Sequence, residues 1–426
     1  MKKSFLKSNE MLKKTLEVIP LASQTFSKSH IQFPKGFSPV FLEKGKGSEV
    51  WDVDGNKYID FISALMSITL GYCDEDVDNA VINQMKKGVS FSLSHPLEFT
   101  LAEKLVSIIP CAEMVRFGKN ATDSTTAAIR ISRAFTRKKH ILHCGYHGWN
   151  DWYIAGTTRN LGIPEEYSSF IHDFQYNDLS SLEKRFNEYQ DQVAAVIMEP
   201  MNFYFPENDF LQKVKTLCHK NGAIFILDET ITGFRFSLGG AQSYFNVTPD
   251  LAIFGKGMAN GYPLSALVGS KPLMQLYDQV FLSSTFGGET ISLAAAIATI
   301  EKIEKYKINE KLQKSGIDFS QKFNFLLEKH QLKNEIMLTG HPTWLSLKYL
   351  KDSEFKIKTF MIYRLIQQGI LIQISHNLNA SHTTEQINQC ISAYDVAFYE
   401  LSHALASGTL DEILPCAPIE PIFKIR

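Results

Sequence analysis

Two short apolar runs, Ala223–Leu227 and Leu251–Phe254, each end abruptly in charge, the first in Asp228–Glu229 and the second in Gly255–Lys256–Gly257. Such unbroken runs read as strands buried on both faces, the kind found in parallel sheets covered by helices. An acid and a lysine at the carboxyl ends of neighbouring parallel strands stand where open α/β sheets bind ligands. Flanking glycines let backbone approach a ligand closely. A desolvated lysine held there can lose its proton and attack a carbonyl. One cofactor asks for both groups: pyridoxal phosphate takes a lysine as a Schiff base and a carboxylate as partner of its pyridine nitrogen. Taken singly, Lys256 reads as a solvated loop lysine, and Asp228 equally as a helix N-cap.

The rest of the chain supports the sheet. Strands are expected at Val115–Phe117, His140–Cys144, Ala194–Met198 and Ala266–Val268, and helices at Asp76–Lys87, Pro96–Ile109, Ala121–Phe135, Phe210–Asn221 and Ser292–Tyr306. Gly222 is a helix stop. Asp54–Gly55 is a two-residue hairpin signal within Val50–Ala64. Asn309–His330, Met337–Tyr349, Lys356–Gln368, Ile370–Ile374 and Thr384–Ala404 read as a smaller α+β unit. The expected fold is α/β, a mainly parallel sheet between helices with a small domain from both chain ends. The expected domains are residues 1–70 (part of the small domain), 71–308 (large, cofactor-binding) and 309–426 (small).

A phosphate belongs at a helix N-terminus, where free N–H groups and the dipole favour an anion. Gly118–Thr126 follows a strand and opens a helix, so Ala121 and Thr122 would donate N–H groups and Thr122 its hydroxyl. Thr122, Asp123 or Ser124 could cap that helix, and a capped helix without ligand fits the same residues. Tyr146 and His147, in Cys144–Trp149, follow another strand, where an aromatic ring can stack on a flat heterocycle or simply line the rim. Glu199–Pro200 again sets a polar residue at a strand end, and Ser283–Glu289, with Thr285, offers hydroxyls at a glycine-rich turn.

Composition removes several function classes. The chain has 426 residues with 44 Lys+Arg against 45 Asp+Glu, which gives no electrostatic case for nucleic acid or an anionic membrane. Met1–Leu21 lacks the apolar core of a signal peptide, and no run approaches the ~18 apolar residues of a membrane span. The six cysteines are scattered without a C-x-x-C pair, so neither a disulfide framework nor a metal site is expected, and the cytoplasm is the expected compartment. No G-x-G-x-x-G follows the first strand, which argues against a nucleotide-dependent dehydrogenase.

Taken in order, V-R-F-x-x-x-x-T-D, G-Y-H-G, M-E-P, D-E-x-x-T-G-F-R, G-K and T-F-G-G resemble the class III (fold-type I) pyridoxal-phosphate aminotransferases, nearest the glutamate-1-semialdehyde aminomutase-like branch. The resemblance runs from Trp51 to the small domain. It implies a homodimer with interface active sites, Lys256 as the Schiff-base lysine, and Asp228 on the pyridine nitrogen. It further implies that Ala121 and Thr122 hold the phosphate, that Tyr146 stacks on the ring, and that Thr285 reaches the partner subunit's phosphate. With His147 and Glu199 these make the expected cofactor site.

Several positions depart from the family pattern. The phosphate turn reads K-N-A-T-D where N-S-G-T-E is usual, with Ala121 in place of glycine. Ala64–Leu65 replaces the aminomutase serine–tryptophan pair, and GKGMANGYP replaces GKIIGGGLP. Gln373–His382, where many relatives place a carboxylate-binding arginine, has none. The expected activity is a ping-pong transfer of an amino group from a donor to a carbonyl acceptor. A hydroxylated, sugar-like acceptor of surface-polysaccharide synthesis would meet Gln24–Ser29 and His376–Asn379. The alternatives are an aminomutase, which moves the amine within one substrate, and a catalytically silent binding protein on the same fold.

Overall fold

A computed structural model describes residues 3–351 and 354–419, in two compact units. Glu75–Asn309 form one, and the described residues of Met1–Asp74 and Glu310–Ile422 form the other.

The first unit is built on seven strands: β1 (Met114–Gly118), β2 (His140–Cys144), β3 (Ile171–Asp173), β4 (Val193–Met198), β5 (Ile224–Asp228), β6 (Leu251–Phe254) and β7 (Ser265–Gly269). Their order is β1-β7-β6-β5-β4-β2-β3. Only β7 runs antiparallel to its neighbours; from β6 to β3 every pairing is parallel. Successive side chains of a strand point to opposite faces, and each central strand therefore feeds two cores. Ile141, Ile197, Ile226 and Ile253 pack with Ala127, Ala128 and Ile131 of the Ala121–Thr136 helix. Leu142, Val196, Phe225 and Leu227 pack on the other face with Phe210, Leu211 and Val214 of the Phe210–Lys220 helix. Two apolar faces explain why these strands carry no polar alternation.

The second unit holds a four-stranded sheet (Leu42–Lys46, Glu49–Asp52, Lys57–Asp60, Ile370–Leu371) and a three-stranded one (Ile336–His341, Trp344–Tyr349, Ser375–His376). The hairpin expected at Asp54–Gly55 is wider than two residues. Trp51 pairs with Lys57, so Val53–Asn56 form the connection, and Asp52 Oδ1 accepts the Asn56 N–H at 2.8 Å. Within the Ile370–Ile374 segment the strand is Ile370–Leu371.

Four consecutive residues, Ser63 to Met66, hold φ between +47° and +69°. None is glycine, and the left-handed region costs such residues about 1 kcal/mol or more each. Buried hydrogen bonds pin the turn: Asp60 accepts the Ile62 N–H at 2.7 Å and the Tyr72 hydroxyl at 2.7 Å, while Ser63 Oγ donates to the Asn377 carbonyl at 2.6 Å.

His376 is fully buried among Phe61, Phe319, Phe323 and Tyr394, with Nε2 2.8 Å from the Tyr394 hydroxyl. Burial lowers its pKa from 6.5 to about 3. The folded ring stays neutral where the unfolded ring takes a proton, so stability is lost as pH falls below the unfolded value. The loss amounts to about 3 kcal/mol at pH 4 from this group alone. The melting temperature of the protein is expected to fall between pH 6.5 and pH 4, and less steeply in the His376→Phe variant. Equal slopes would show that this ring is not a source of acid lability.

Candidate active site

Four neighbouring parallel strands, β6, β5, β4 and β2, deliver the expected polar residues at their carboxyl ends. Lys256 follows β6, Asp228 ends β5, Glu199 follows β4, and Tyr146 and His147 follow β2.

Asp228 is 5% exposed and held on both oxygens. Oδ1 accepts the Thr230 hydroxyl at 2.5 Å and the Thr230 N–H at 3.1 Å; Oδ2 lies 2.8 Å from His147 Nδ1. The other ring nitrogen, Nε2, lies 3.2 Å from the Cys144 carbonyl. Both ring nitrogens of His147 are thus engaged, one by the carboxylate and one by a backbone carbonyl. His147 is itself buried and tied down, its carbonyl accepting the Thr125 hydroxyl at 2.9 Å. It thus stands behind Asp228 as its hydrogen-bond partner rather than on the open face of the site.

Lys256 has φ +40°, between an extended Gly255 and a single helical turn to Ala259. A strained residue is retained where the surroundings fix its conformation. Burial lowers its ammonium from the ordinary value of 10.5, opposed by the charges of Glu199 and Asp228. Among the described residues no carboxylate comes within ion-pair distance of it. Glu199 accepts the Tyr146 N–H, and burial pushes its carboxyl up to about 7. Gly145, at φ +106°, makes room for it: a Cβ there would stand 2.4 Å from Glu199 Oε2.

The Ala121–Thr136 helix begins at the ligand end of the sheet. Its N-cap is Asn120, not one of the three residues named from sequence, and the Asp123 carboxylate reaches back to accept the Lys119 and Asn120 N–H groups at 2.9 and 2.8 Å. That leaves the Ala121 and Thr122 N–H groups without an acceptor among the described residues. Ala121 takes no positive φ, so the missing glycine costs nothing there. Gly148, at φ +107°, packs against this turn so closely that a Cβ would stand 2.3 Å from Thr122 Oγ1. Two unclaimed N–H groups at a helix start suit a phosphate. A desolvated lysine and a buried carboxylate suit an aldehyde and a ring N–H. The residues present fit pyridoxal phosphate.

Other expected residues lie elsewhere. Tyr146 is 49% exposed and meets Tyr153 edge-on at 5.6 Å. Thr285 sits on an exposed turn before the Thr290–Lys305 helix, with no contact to Asp228 or Lys256 in this chain. Glu229 points away and accepts the Ala241 and Gln242 N–H groups at 2.6 and 2.8 Å. Among the residues expected to meet a hydroxylated acceptor, Asn377 and Asn379 are buried and engaged internally, bonding the Ile62 carbonyl at 2.9 Å and Ser63 Oγ at 3.1 Å. Ser27, Lys28 and Gln373 instead line a cavity of about 340 Å³ within the second unit, beside Ala64 and Leu65. Sequence reasoning passed over Thr230 and Tyr153, whose hydroxyl donates to the Gly145 carbonyl at 2.9 Å. The two-residue spacing from Asp228 to Thr230 is a side-chain turn signal that would have found the first. Nothing local marks the second.

Among the described residues, no group of His, Cys, Asp and Glu could hold a metal ion, and no helix is long and apolar enough to cross a membrane.

Residues 33–392 match the family described as Aminotransferase class-III. The chain is 38% identical over 386 residues to the 3-aminobutyryl-CoA aminotransferase of Cloacimonas acidaminovorans, covering 88% of this chain and 92% of that protein. It is 35% identical over 325 residues to glutamate-1-semialdehyde 2,1-aminomutase 2 of Lachnoclostridium phytofermentans, covering 72% and 76%. The solved FumI protein of Sphingopyxis sp. MTA144, in its PLP internal aldimine form, superposes with a TM-score of 0.88 at 27% identity, covering 94% of this chain and 98% of that one.

Proposed function

We infer the reaction from one premise: the chain belongs to the class III aminotransferase family and is a pyridoxal-phosphate-dependent transaminase. Bound here, the cofactor supplies an electron sink for the carbon that bears the amine. In this reading the Ala121 and Thr122 N–H groups hold its phosphate, Tyr146 lies over its ring, and Asp228 faces its pyridine nitrogen. Lys256 would anchor it and, as a free amine, would hold the proton that leaves the donor carbon. The observation that carries the reading is the meeting of Asp228, Glu199 and Lys256 on adjacent strand ends beside the unclaimed helix N–H groups. We take the working form to be a homodimer, with Thr285 on its exposed turn completing the partner's phosphate site.

For the acceptor we propose a hydroxylated, sugar-like carbonyl compound, because Gln373–His382 has no arginine to receive a carboxylate. A second reading, a 3-oxoacyl thioester, is favoured by the 3-aminobutyryl-CoA aminotransferase relative. A third, intramolecular amine transfer, is favoured by the aminomutase relative and opposed by Ala64–Leu65.

The test is the absorbance spectrum of the loaded protein against a panel of amino donors, then turnover with both acceptor classes. Conversion of the visible band by one donor, followed by its return with one acceptor, establishes the reaction and names both substrates. Turnover of a single substrate without a donor would replace transamination by the aminomutase reading. A protein that takes up no cofactor would remove all three.

A further inference from the structure

Two carboxyl groups face the Lys256 nitrogen, and they are not equivalent. Asp228 is held on both oxygens: His147 Nδ1 lies 2.8 Å away and Thr230 gives two further hydrogen bonds. Glu199 stands one strand further along and receives a single N–H, from Tyr146. Its position is nonetheless built, because Gly145 is held at φ +106° with room for the carboxyl and none for a Cβ.

We propose that Glu199 is the counter-charge of the Lys256 nitrogen, and that it fixes whether this nitrogen is protonated once the cofactor is bound. The inference rests on the transaminase reading for the cofactor but concerns residues of this chain alone.

The surroundings of Glu199 leave few competitors. The ionisable groups facing it are Cys144 on β2, His147 after it, Tyr153, Tyr176, Asp228 on β5 and Lys256 after β6. Burial pushes the Cys144 thiol to about 12 and the Tyr153 and Tyr176 hydroxyls well above their usual range, so all three stay neutral. The charged groups facing Lys256 are Glu199 and Asp228, which favour its ammonium, and the buried Arg235, which opposes it. Asp228 is already bonded to His147 and Thr230, so Glu199 is the carboxyl left to answer Lys256, inside a site that screens charge less than water would. Burial drives the two groups toward each other, the carboxyl upward to about 7 and the ammonium downward. Glu199 therefore has its charge to give or withdraw in the range where the enzyme works.

The experiment loads wild type, Glu199→Gln and Glu199→Asp with pyridoxal phosphate and titrates the visible band with pH. Glutamine keeps the acceptor for the Tyr146 N–H and removes the charge. The midpoint of the Gln variant is expected about one pH unit lower, a tenfold change in the protonation equilibrium, with the Asp variant near wild type. Coincident midpoints in wild type and the Gln variant would overturn the proposal. A second measurement needs no bound cofactor: the pH profile for labelling Lys256 with an amine-reactive reagent in the unloaded protein, read by mass spectrometry. Loss of the counter-charge should move its inflection to lower pH in the Gln variant, and an unmoved inflection counts against the proposal. A wild type without any visible band sinks the cofactor reading instead, and the labelling profile still decides the pairing of Glu199 with Lys256.

Discussion

The Lys256→Ala protein is expected to lose turnover by at least about 10⁴-fold, since the substitution removes both the nucleophile and the proton carrier. Alanine is also a good test of the fold. The native φ of +40° strains any residue with a Cβ, lysine and alanine alike, so the change brings no new backbone cost. Lys256 makes no direct ion pair, since neither Glu199 nor Asp228 lies within contact distance, and a Glu199 carboxyl left without its cation can take up a proton because burial already pushes it up to about 7. The variant should therefore melt close to wild type while losing its chemistry. Borohydride reduction of the loaded protein, followed by mass spectrometry, separates the two roles. Wild type should gain one cofactor on the peptide that contains Lys256, and the variant none. Rescue of part of the rate by a small primary amine in solution would identify the missing group as the amine itself. Retained activity in the variant would remove Lys256 from the reaction.

What the sequence disclosed of this site follows from physics that acts over short stretches. Strands buried on both faces must be apolar throughout, and a polar residue ends them; Ile224–Asp228 and Val193–Met198 announce the sheet and its ligand-binding edge together. Helix starts are nearly as legible, though the shift of the N-cap from Thr122 to Asn120 shows that Asx and Thr residues in series compete for one role. The short β3 was missed because Ile171–Asp173 has three residues and an exposed end, too little for a period to register. Partnerships across the sheet were not legible at all. His147 and Asp228 are 81 residues apart, and nothing in either segment says that the imidazole will stand behind the carboxylate. The same holds for Glu229, which shares the strand end with Asp228 but faces the Ala241–Tyr244 helix because side chains alternate along the strand. Asn377 and Asn379 look like ligand-facing amides in sequence. They are drawn inward by the strained Ser63–Met66 turn, whose polar groups need partners that only a distant segment supplies.

The second large effect is expected at Asp228. Its substitution by asparagine keeps the size of the side chain and the acceptor for Thr230, and removes the charge. The consequence falls on two neighbours. A ring nitrogen facing the site loses the anion that favours its proton, and a charge-assisted hydrogen bond becomes a neutral one, a difference of about 2–4 kcal/mol. A fall in kcat of about 30- to 1000-fold is expected. His147 meanwhile keeps its Cys144 contact at 3.2 Å but faces an uncharged amide on Nδ1 while 1% exposed. A buried ring nitrogen that loses its carboxylate partner is costly, so the apoprotein should become measurably less stable. These two outcomes can be separated. His147→Gln removes the imidazole and leaves the Asp228 carboxyl in place, so it should lower stability with a much smaller effect on kcat. If the two variants lose activity equally, the carboxylate acts only through its pairing with His147, and the ring nitrogen has another partner. If Asp228→Asn turns over at the wild-type rate while Glu199→Gln does not, the functional acid of this sheet edge is Glu199.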